Sequence, residues 1–375
     1  MKKIKIAHIL HSVGGVDVSL RLILENSNPL QFENIVIHGI VDTKEGFYDK
    51  NKVLVAEYKF PISREIAIAN DFISIIKTYR ILKKEKPDLI HCHSAKGGVI
   101  GRMVAILTGI PVVYTPQAFS YLSTNNNFKR MVFLFIEKLL SKGNVTLLAS
   151  SKSEMNRAIN EVGFDEENVL LFNNAIRPLT EINSLSIKKT WPDNYICTVG
   201  RPCYQKNIDE MIRVFYEVKK QQDIHLVIMG VGHYASQLRM IKKMISEFDL
   251  SNNITLLDWA SREDVLHIIS KTQLYISTAR YEGLPYSVIE SLALSIPCIV
   301  SNCDGNKDLI VDNYNGYLIN ENDTIRFSKK VIQLLNDKNK HAVFSINAKK
   351  TFELNYNIIE KIKDLEAIYL SQKVK

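Results

Sequence analysis

Two glutamates eight residues apart, Glu282 and Glu290, stand in the segment STARYEGLPYSVIESLALSIPCIVS. The first falls in the loop after a strand-length apolar run, and the second inside the helix that Pro285 could begin. A carboxylate in the loop accepts hydrogen bonds from sugar hydroxyls, and one on the helix can take both hydroxyls of a ribose. The backbone from Gly283 through Leu284, Pro285, Tyr286 and Ser287 to Val288 aims its amides at whatever anion sits on the helix end. Upstream, a strand ends at Gly200 and is followed by RPCYQK, which places Arg201 and Lys206 in one loop before the helix NIDEMIRVF. A planar guanidinium fork and a point charge beside a helix start make a clamp for a diphosphate. Near the N-terminus, Gly14 and Gly15 fall between the run IAHIL and a helix start, where glycines let the backbone approach a ligand closely.

Two other patterns carry less. GVGHYA at 230–235 formally matches G-x-G-x-x-A, but it does not open the first βα unit of either half. The nearest acidic residue of the right kind, Asp258, is 28 positions after Gly230, against the expected ~20, so a dinucleotide cofactor is not expected. In His91-Cys92-His93 the two histidines share one face of an extended strand and the cysteine takes the other, so the three cannot easily converge on one metal ion. His93, beside Ser94 and Lys96, reads instead as a residue that meets substrate.

Strands must position these groups, and the chain supplies them in alternation with helices. The runs IKIAHIL, NIVIHGI, KVLVAEY, DLIHCH, PVVYT and VTLLAS fill the first half; NYICTVG, HLVIMG, NITLLDW, QLYIST and PCIVS fill the second. Such alternation predicts an α/β protein with two doubly wound, Rossmann-like domains. Ligands of such sheets bind beyond the carboxyl ends of the strands, which is where the residues above lie. The expected division is 1–178, a polar linker at 179–193, a second domain at 194–354 and a C-terminal helix at 355–375.

The 375 residues are 46% hydrophobic and 23% charged, which excludes a disordered or fibrous chain. The formal charge of +8 is uneven, with 23 basic against 17 acidic residues in 1–180 and 25 against 23 thereafter. An anionic partner follows, but no zinc-finger or helix-turn-helix pattern points to nucleic acid. Five scattered cysteines suggest a reduced, cytoplasmic protein, and no apolar run is long enough to span a bilayer. The helix NFKRMVFLFIEKLLSK, with Lys129 and Arg130, could lie on an anionic membrane, as could Lys83 and Lys84. Because Met131 to Ile136 is apolar all round, ordinary burial of that helix is the favoured expectation.

Taken together, the glycine loop, HCHSAKGGVIGRMVA, GIPVVYTP, G-R-P with Lys206 and the two glutamates resemble the retaining GT-B glycosyltransferases of family 4 type, which serve bacterial O-antigen and capsule synthesis. The resemblance covers most of the chain. It implies two Rossmann-like domains facing a central cleft, the acceptor on the first and the donor on the second, with a last helix crossing back to the first. Arg201 and Lys206 would neutralise the donor diphosphate, Glu290 would hold its ribose, and Glu282 would contact the transferred sugar. Gly14, Gly15, Gly232 and Trp259 would join the donor side, and His93, Gln117, Phe119 and Tyr121 the acceptor side. Gln117-Ala118 replaces a common His-Gly, so this position can hydrogen-bond but cannot act as acid or base.

The implied reaction moves a hexose or N-acetylhexosamine from a nucleotide-sugar, UDP-linked, to a polyprenyl-pyrophosphate-linked glycan at the cytoplasmic face of the inner membrane. No Asp-x-Asp occurs, so neither a metal nor another cofactor is expected, and charge neutralisation falls to Arg201, Lys206 and helix amides. The resemblance further implies retention by front-face attack, with no protein nucleophile. Alternatives are a sugar-nucleotide 2-epimerase of the same fold, against which Y-E-G-L-P argues, and a non-catalytic binding subunit, which should have lost the two cations.

Overall fold

The computed structural model describes residues 2–63, 67–232, 235–258 and 260–372. The chain divides into two compact units, one of Met1–Arg177 with Ile358–Lys375 and one of Pro178–Asn357. The stretch 179–193 belongs to the second unit. There Ser186 bonds Asp264 through both its amide and its hydroxyl, each at 2.7 Å, and Trp191 is buried.

The first unit holds seven parallel strands in the order β3-β2-β1-β4-β5-β6-β7. These are β1 (Ile4–Ile9), β2 (Phe32–Gly39), β3 (Ala56–Phe60), β4 (Leu89–His93), β5 (Val112–Thr115), β6 (Val145–Ala149) and β7 (Val169–Leu171). Helix α1 (Gly15–Asn26) runs from β1 leftward to β2. Helices α2 (Ile68–Glu85), α3 (Ser94–Thr108) and α4 (Asn127–Leu139) precede β4, β5 and β6, each step moving rightward. Right-handed crossovers therefore place α2, α3 and α4 on one face of the sheet and α1 on the other. After α5 (Lys152–Arg157) and β7 the chain leaves this unit at Arg177, and the helix Ile358–Gln372 returns beside α1.

Strand alternation sorts β4 cleanly. Cys92 faces α3, where a Cβ on Gly101 would lie 2.1 Å from its sulfur, so only glycine fits there. His91 and His93 face the other way, with rings 3.9 Å apart, and His8, the register partner of His91 on β1, completes a fully buried triad. His8 Nδ1 lies 3.1 Å from His93 Nε2, and His8 Nε2 lies 3.1 Å from Asn34 Oδ1. His91 reaches Thr115 Oγ1 at 2.9 Å and Tyr369 OH on the returning helix at 2.7 Å. Five of the six ring nitrogens are thus engaged, and His93 Nδ1 has no partner among the described residues. A divalent ion placed here would have no carboxylate to offset its charge in a dry interior, so these residues fit a hydrogen-bond network better than a metal site.

Burial pushes His8 down to about 4 from 6.5, and burial with the neighbouring rings holds His91 and His93 well below the usual range. The unfolded chain therefore binds more protons than the folded one below about pH 6.5. Stability should fall as pH drops through the window from about 6.5 to about 4, by up to about 1.4 kcal/mol per pH unit for each histidine. Urea midpoints measured across this window should decline, and more shallowly in His8→Gln; identical slopes would contradict the assignment.

Helix α4 departs from the expected burial. Phe128, Met131, Phe135 and Leu139 are 62–69% exposed and recur at helical spacing, while Glu137 turns inward to Arg102. The apolar run is all round in sequence, but the buried ion pair fixes which side faces the sheet. On the same layer, Ile68 and Phe72 of α2 and Ile106 and Leu107 of α3 are also exposed.

The second unit repeats the plan with six parallel strands in the order β10-β9-β8-β11-β12-β13. They are β8 (Tyr195–Val199), β9 (His225–Met229), β10 (Ile254–Leu257), β11 (Tyr275–Ser277), β12 (Cys298–Ser301) and β13 (Gly316–Ile319). Helices α6 (Ile208–Lys219), α7 (Leu238–Glu247), α8 (Arg262–Lys271), α9 (Tyr286–Ala293), α10 (Asn306–Leu309), α11 (Thr324–Asn336) and α12 (Lys338–Asn355) surround them, and α13 is the returning helix Ile358–Gln372. Among the described residues no helix is long and apolar enough to cross a membrane.

Candidate functional site

The order of strands in the second unit brings the carboxyl ends of β8, β11 and β12 side by side. The loops after them carry the expected donor groups. Lys206 Nζ donates to Glu282 Oε1 at 2.7 Å, although 76 residues separate the two. Burial works against the ammonium, but the Glu282 charge and hydrogen bond, together with the nearby Tyr275 and Cys203, hold the Lys206 pKa above its ordinary value. Arg201, on the same loop, has no ion-pair or hydrogen-bond partner among the described residues, so its guanidinium is uncommitted. The loop closes into α6 through Asn207 at φ 52, a left-handed turn that asparagine tolerates better than most side chains. Both amide atoms of Asn207 are buried without a partner.

Gly305, which the sequence reading passed over, closes the back of this site. It sits at φ +78, and a Cβ there would fall 2.8 Å from both Glu282 Cβ and the Gly283 carbonyl. The Glu282 amide also donates to the Asp304 carbonyl at 3.1 Å, so the loop after β12 fixes the loop after β11. The clue was present in the sequence as Asp-Gly after a strand.

Pro285 serves as the N-cap of α9, and the helix begins at Tyr286. Ser287 Oγ receives the Tyr275 hydroxyl at 2.7 Å, which ties the first turn of α9 to β11. The Val288 amide donates to the Pro285 carbonyl at 3.2 Å, so it is not among the uncommitted donors expected at this helix end. Glu290 is buried one turn further along. Burial raises its pKa, opposed by Arg262, whose Nε and Nη2 lie 3.2 and 3.1 Å from Oε1. Arg262 is a second residue not legible in the sequence; both its contacts fall on Oε1, so Glu290 Oε2 has no charged partner among the described residues. Gly232 lies on the bend after β9, and Trp259 lies outside the described residues.

In the first unit, Gly14 is the N-cap of α1 with φ 63, a conformation that favours glycine, and Gly15 opens the helix. Gln117 and Ala118 both have positive φ, 53 and 76, with one residue between them and the end of β5. Two successive non-glycine residues in that region store strain. Glu154 holds the turn by accepting the Ala118 amide at 2.7 Å, while the side-chain Nε2 of Gln117 is buried with no partner.

Three of the residues expected on the acceptor side are enclosed within this unit. Phe119 and Tyr121 are fully buried, stack with centroids 5.6 Å apart and belong to the core of this unit, and Tyr121 OH is spent on Glu161 at 2.8 Å. His93 is sealed inside the histidine triad. Aromatic residues after a strand end are ambiguous in sequence, since packing under the loop and facing a ligand produce the same spacing.

Comparison with known proteins agrees with this fold. A family model for glycosyl transferases group 1 matches residues 181–351, and a glycosyl transferase 4-like domain matches 53–175. The chain is 27% identical to the UDP-Gal:alpha-D-GlcNAc-diphosphoundecaprenol alpha-1,3-galactosyltransferase of Escherichia coli, covering 99% of this chain and 98% of that one. It is 25% identical to the capsular polysaccharide biosynthesis glycosyltransferase CapM of Staphylococcus aureus, over 98% and 97% of the two chains. Among solved structures, a sucrose-phosphate synthase of Thermosynechococcus elongatus matches with a TM-score of 0.84 at 15% identity, over 98% and 99% of the chains. Anabaena HepE in complex with UDP-glucose matches at 0.79 and 15%, over 98% and 99%. Two doubly wound parallel α/β units, each matched by a glycosyl transferase model, define a glycosyltransferase. The chain belongs to the GT-B glycosyltransferases of family 4 type.

Proposed function

We propose that this glycosyltransferase moves a hexose or N-acetylhexosamine from a UDP-sugar to a polyprenyl-pyrophosphate-linked glycan, with retention at the anomeric carbon. The carrying observation is the Lys206–Glu282 pair at 2.7 Å beside the uncommitted Arg201. An ammonium has three donors, and Glu282 uses one. The remaining two, with the Arg201 fork, can meet the diphosphate as it leaves. The acceptor hydroxyl attacks the anomeric carbon on the face from which UDP departs. The carbon–oxygen bond to UDP breaks, and the leaving phosphate oxygen takes the acceptor's proton. Positive charge aimed at the leaving group supplies the stabilisation without a metal ion. The substrates named by the Escherichia coli relative, a UDP-sugar and a lipid diphosphate, support the reading. Transfer by the purified chain from UDP-sugars to a synthetic polyprenyl-diphosphate-linked N-acetylhexosamine tests it. An extended lipid and free UDP are expected, and no transfer from any UDP-hexose or UDP-N-acetylhexosamine would remove it.

A lipid-linked acceptor places the protein against the cytoplasmic face of the inner membrane. The exposed stripe Phe128, Met131, Phe135 and Leu139, with Lys129 and Arg130 on the same helix, supports this. Vesicles containing anionic lipid should retain the protein in flotation, and Phe128→Ser with Phe135→Ser, or neutralising Lys83, Lys84, Lys129 and Arg130, should release it. Unchanged flotation would overturn the membrane reading.

A further inference from the structure

Glu282 is held from two sides. Its Oε1 takes the Lys206 ammonium at 2.7 Å, and its Oε2 takes the side-chain amide of Gln205 at 3.1 Å. The same amide nitrogen also donates to the Tyr281 carbonyl at 3.4 Å, which fixes the amide as well. The last torsion of a glutamate is soft, and one partner alone would leave the carboxylate plane free to turn. Two partners, one on each oxygen, fix that plane while each oxygen keeps a lone pair for another donor.

The loop that carries Gln205 is itself pinned. The Arg280 amide donates to the Gln205 carbonyl at 2.8 Å, and Arg280 Nη1 donates to the Tyr204 carbonyl at 2.7 Å. The Arg280 guanidinium also lies over the Tyr204 ring, 4.8 Å from its centroid. Gln205 is neutral, so it orients Glu282 without competing for the charge that Lys206 provides.

We propose that Gln205 is a positioning residue that orients Glu282 toward the hydroxyls of the transferred sugar and thereby sets affinity for the sugar part of the donor. This rests on the reading that Glu282 meets that sugar. Gln205 acts through Glu282, so its removal lowers affinity for UDP-sugar and leaves affinity for UDP alone intact.

The test is calorimetric binding of UDP, UDP-glucose, UDP-galactose, UDP-N-acetylglucosamine and UDP-N-acetylgalactosamine to the full-length wild type, Q205A, Q205E and E282A, and to Q205A/E282A. Q205A is expected to lose about tenfold for the UDP-sugar that the wild type binds most tightly, the size of one hydrogen bond to a charged group, with UDP unchanged. Q205E, nearly isosteric, should show the same selective loss, because two carboxylates so close repel. Adding Q205A to E282A should cost nothing further. Equal losses for UDP and UDP-sugar, a loss that persists in the E282A background, or no loss at all would each overturn the proposal. If E282A itself binds UDP-sugar as the wild type does, the underlying reading of Glu282 fails, which is a separate result from failure of Gln205.

Discussion

Lys206→Ala is expected to lower kcat/KM by about 10²–10³, the range seen when one preorganised charge or donor is removed from a developing anion. The loss should fall mainly on kcat, because the diphosphate gains charge as the bond to the sugar breaks. A second cost comes from Glu282, which is mostly buried and would keep only Gln205 as a side-chain partner. Lys206→Arg should recover little. The lysine stem passes within 3.1–3.3 Å of where a Gly200 Cβ would stand, so the stem is closely confined and a bulkier guanidinium would have to settle elsewhere. Glu282→Ala should also lose most turnover, and the double variant should be far better than the product of the single losses, because each single change strands the other group. Turnover within threefold of wild type in Lys206→Ala would show that the diphosphate is neutralised elsewhere.

Breaking the Arg102–Glu137 pair is expected to have the largest effect on stability. Both side chains are fully buried, 2.9 Å apart, and the pair joins α3 to α4. Arg102 also donates to the Gly98 carbonyl at 2.9 Å and stacks 3.9 Å over the Tyr114 ring, whose hydroxyl donates to Glu137 at 3.0 Å. Burial and the Glu137 charge keep that phenol protonated, with its pKa well above the usual value. Either Glu137→Leu or Arg102→Met leaves one uncompensated charge in a dry interior, and each should cost about 3–5 kcal/mol. The double substitution should cost less than either, because no charge remains to be solvated. Denaturant midpoints for the first unit would show this ordering; a loss under about 1 kcal/mol in the single variants would contradict it.

The clustering of Arg201, Lys206, Glu282 and Glu290 was readable because these residues follow strands whose alternation with helices is regular, and parallel sheets put those ends together. What could not be read depends on distant pairing. His8 meets His91 and His93 only because β1 and β4 are neighbours, a non-local register that no local window contains. The short strands β7 and β13, of three and four residues at the sheet edges, offer too little periodicity to stand out. Phe119 and Tyr121, expected on the acceptor side, pack in the core of the first unit, because loop aromatics follow the space left by neighbouring helices. The opposite error occurred on α4, where a run apolar on every side exposes half of itself once Glu137 is drawn inward. Gln205, Arg262 and Gly305 act through contacts across separate loops, and only the folded chain shows them.

The central claim is retention driven by protein cations. It is tested most directly by the anomeric configuration of the product, read by NMR, when transfer from an α-linked UDP-sugar is run with and without excess chelator. An α-linked product formed at the same rate under both conditions is the expected result. A β-linked product, or a strict requirement for a divalent metal, would contradict it.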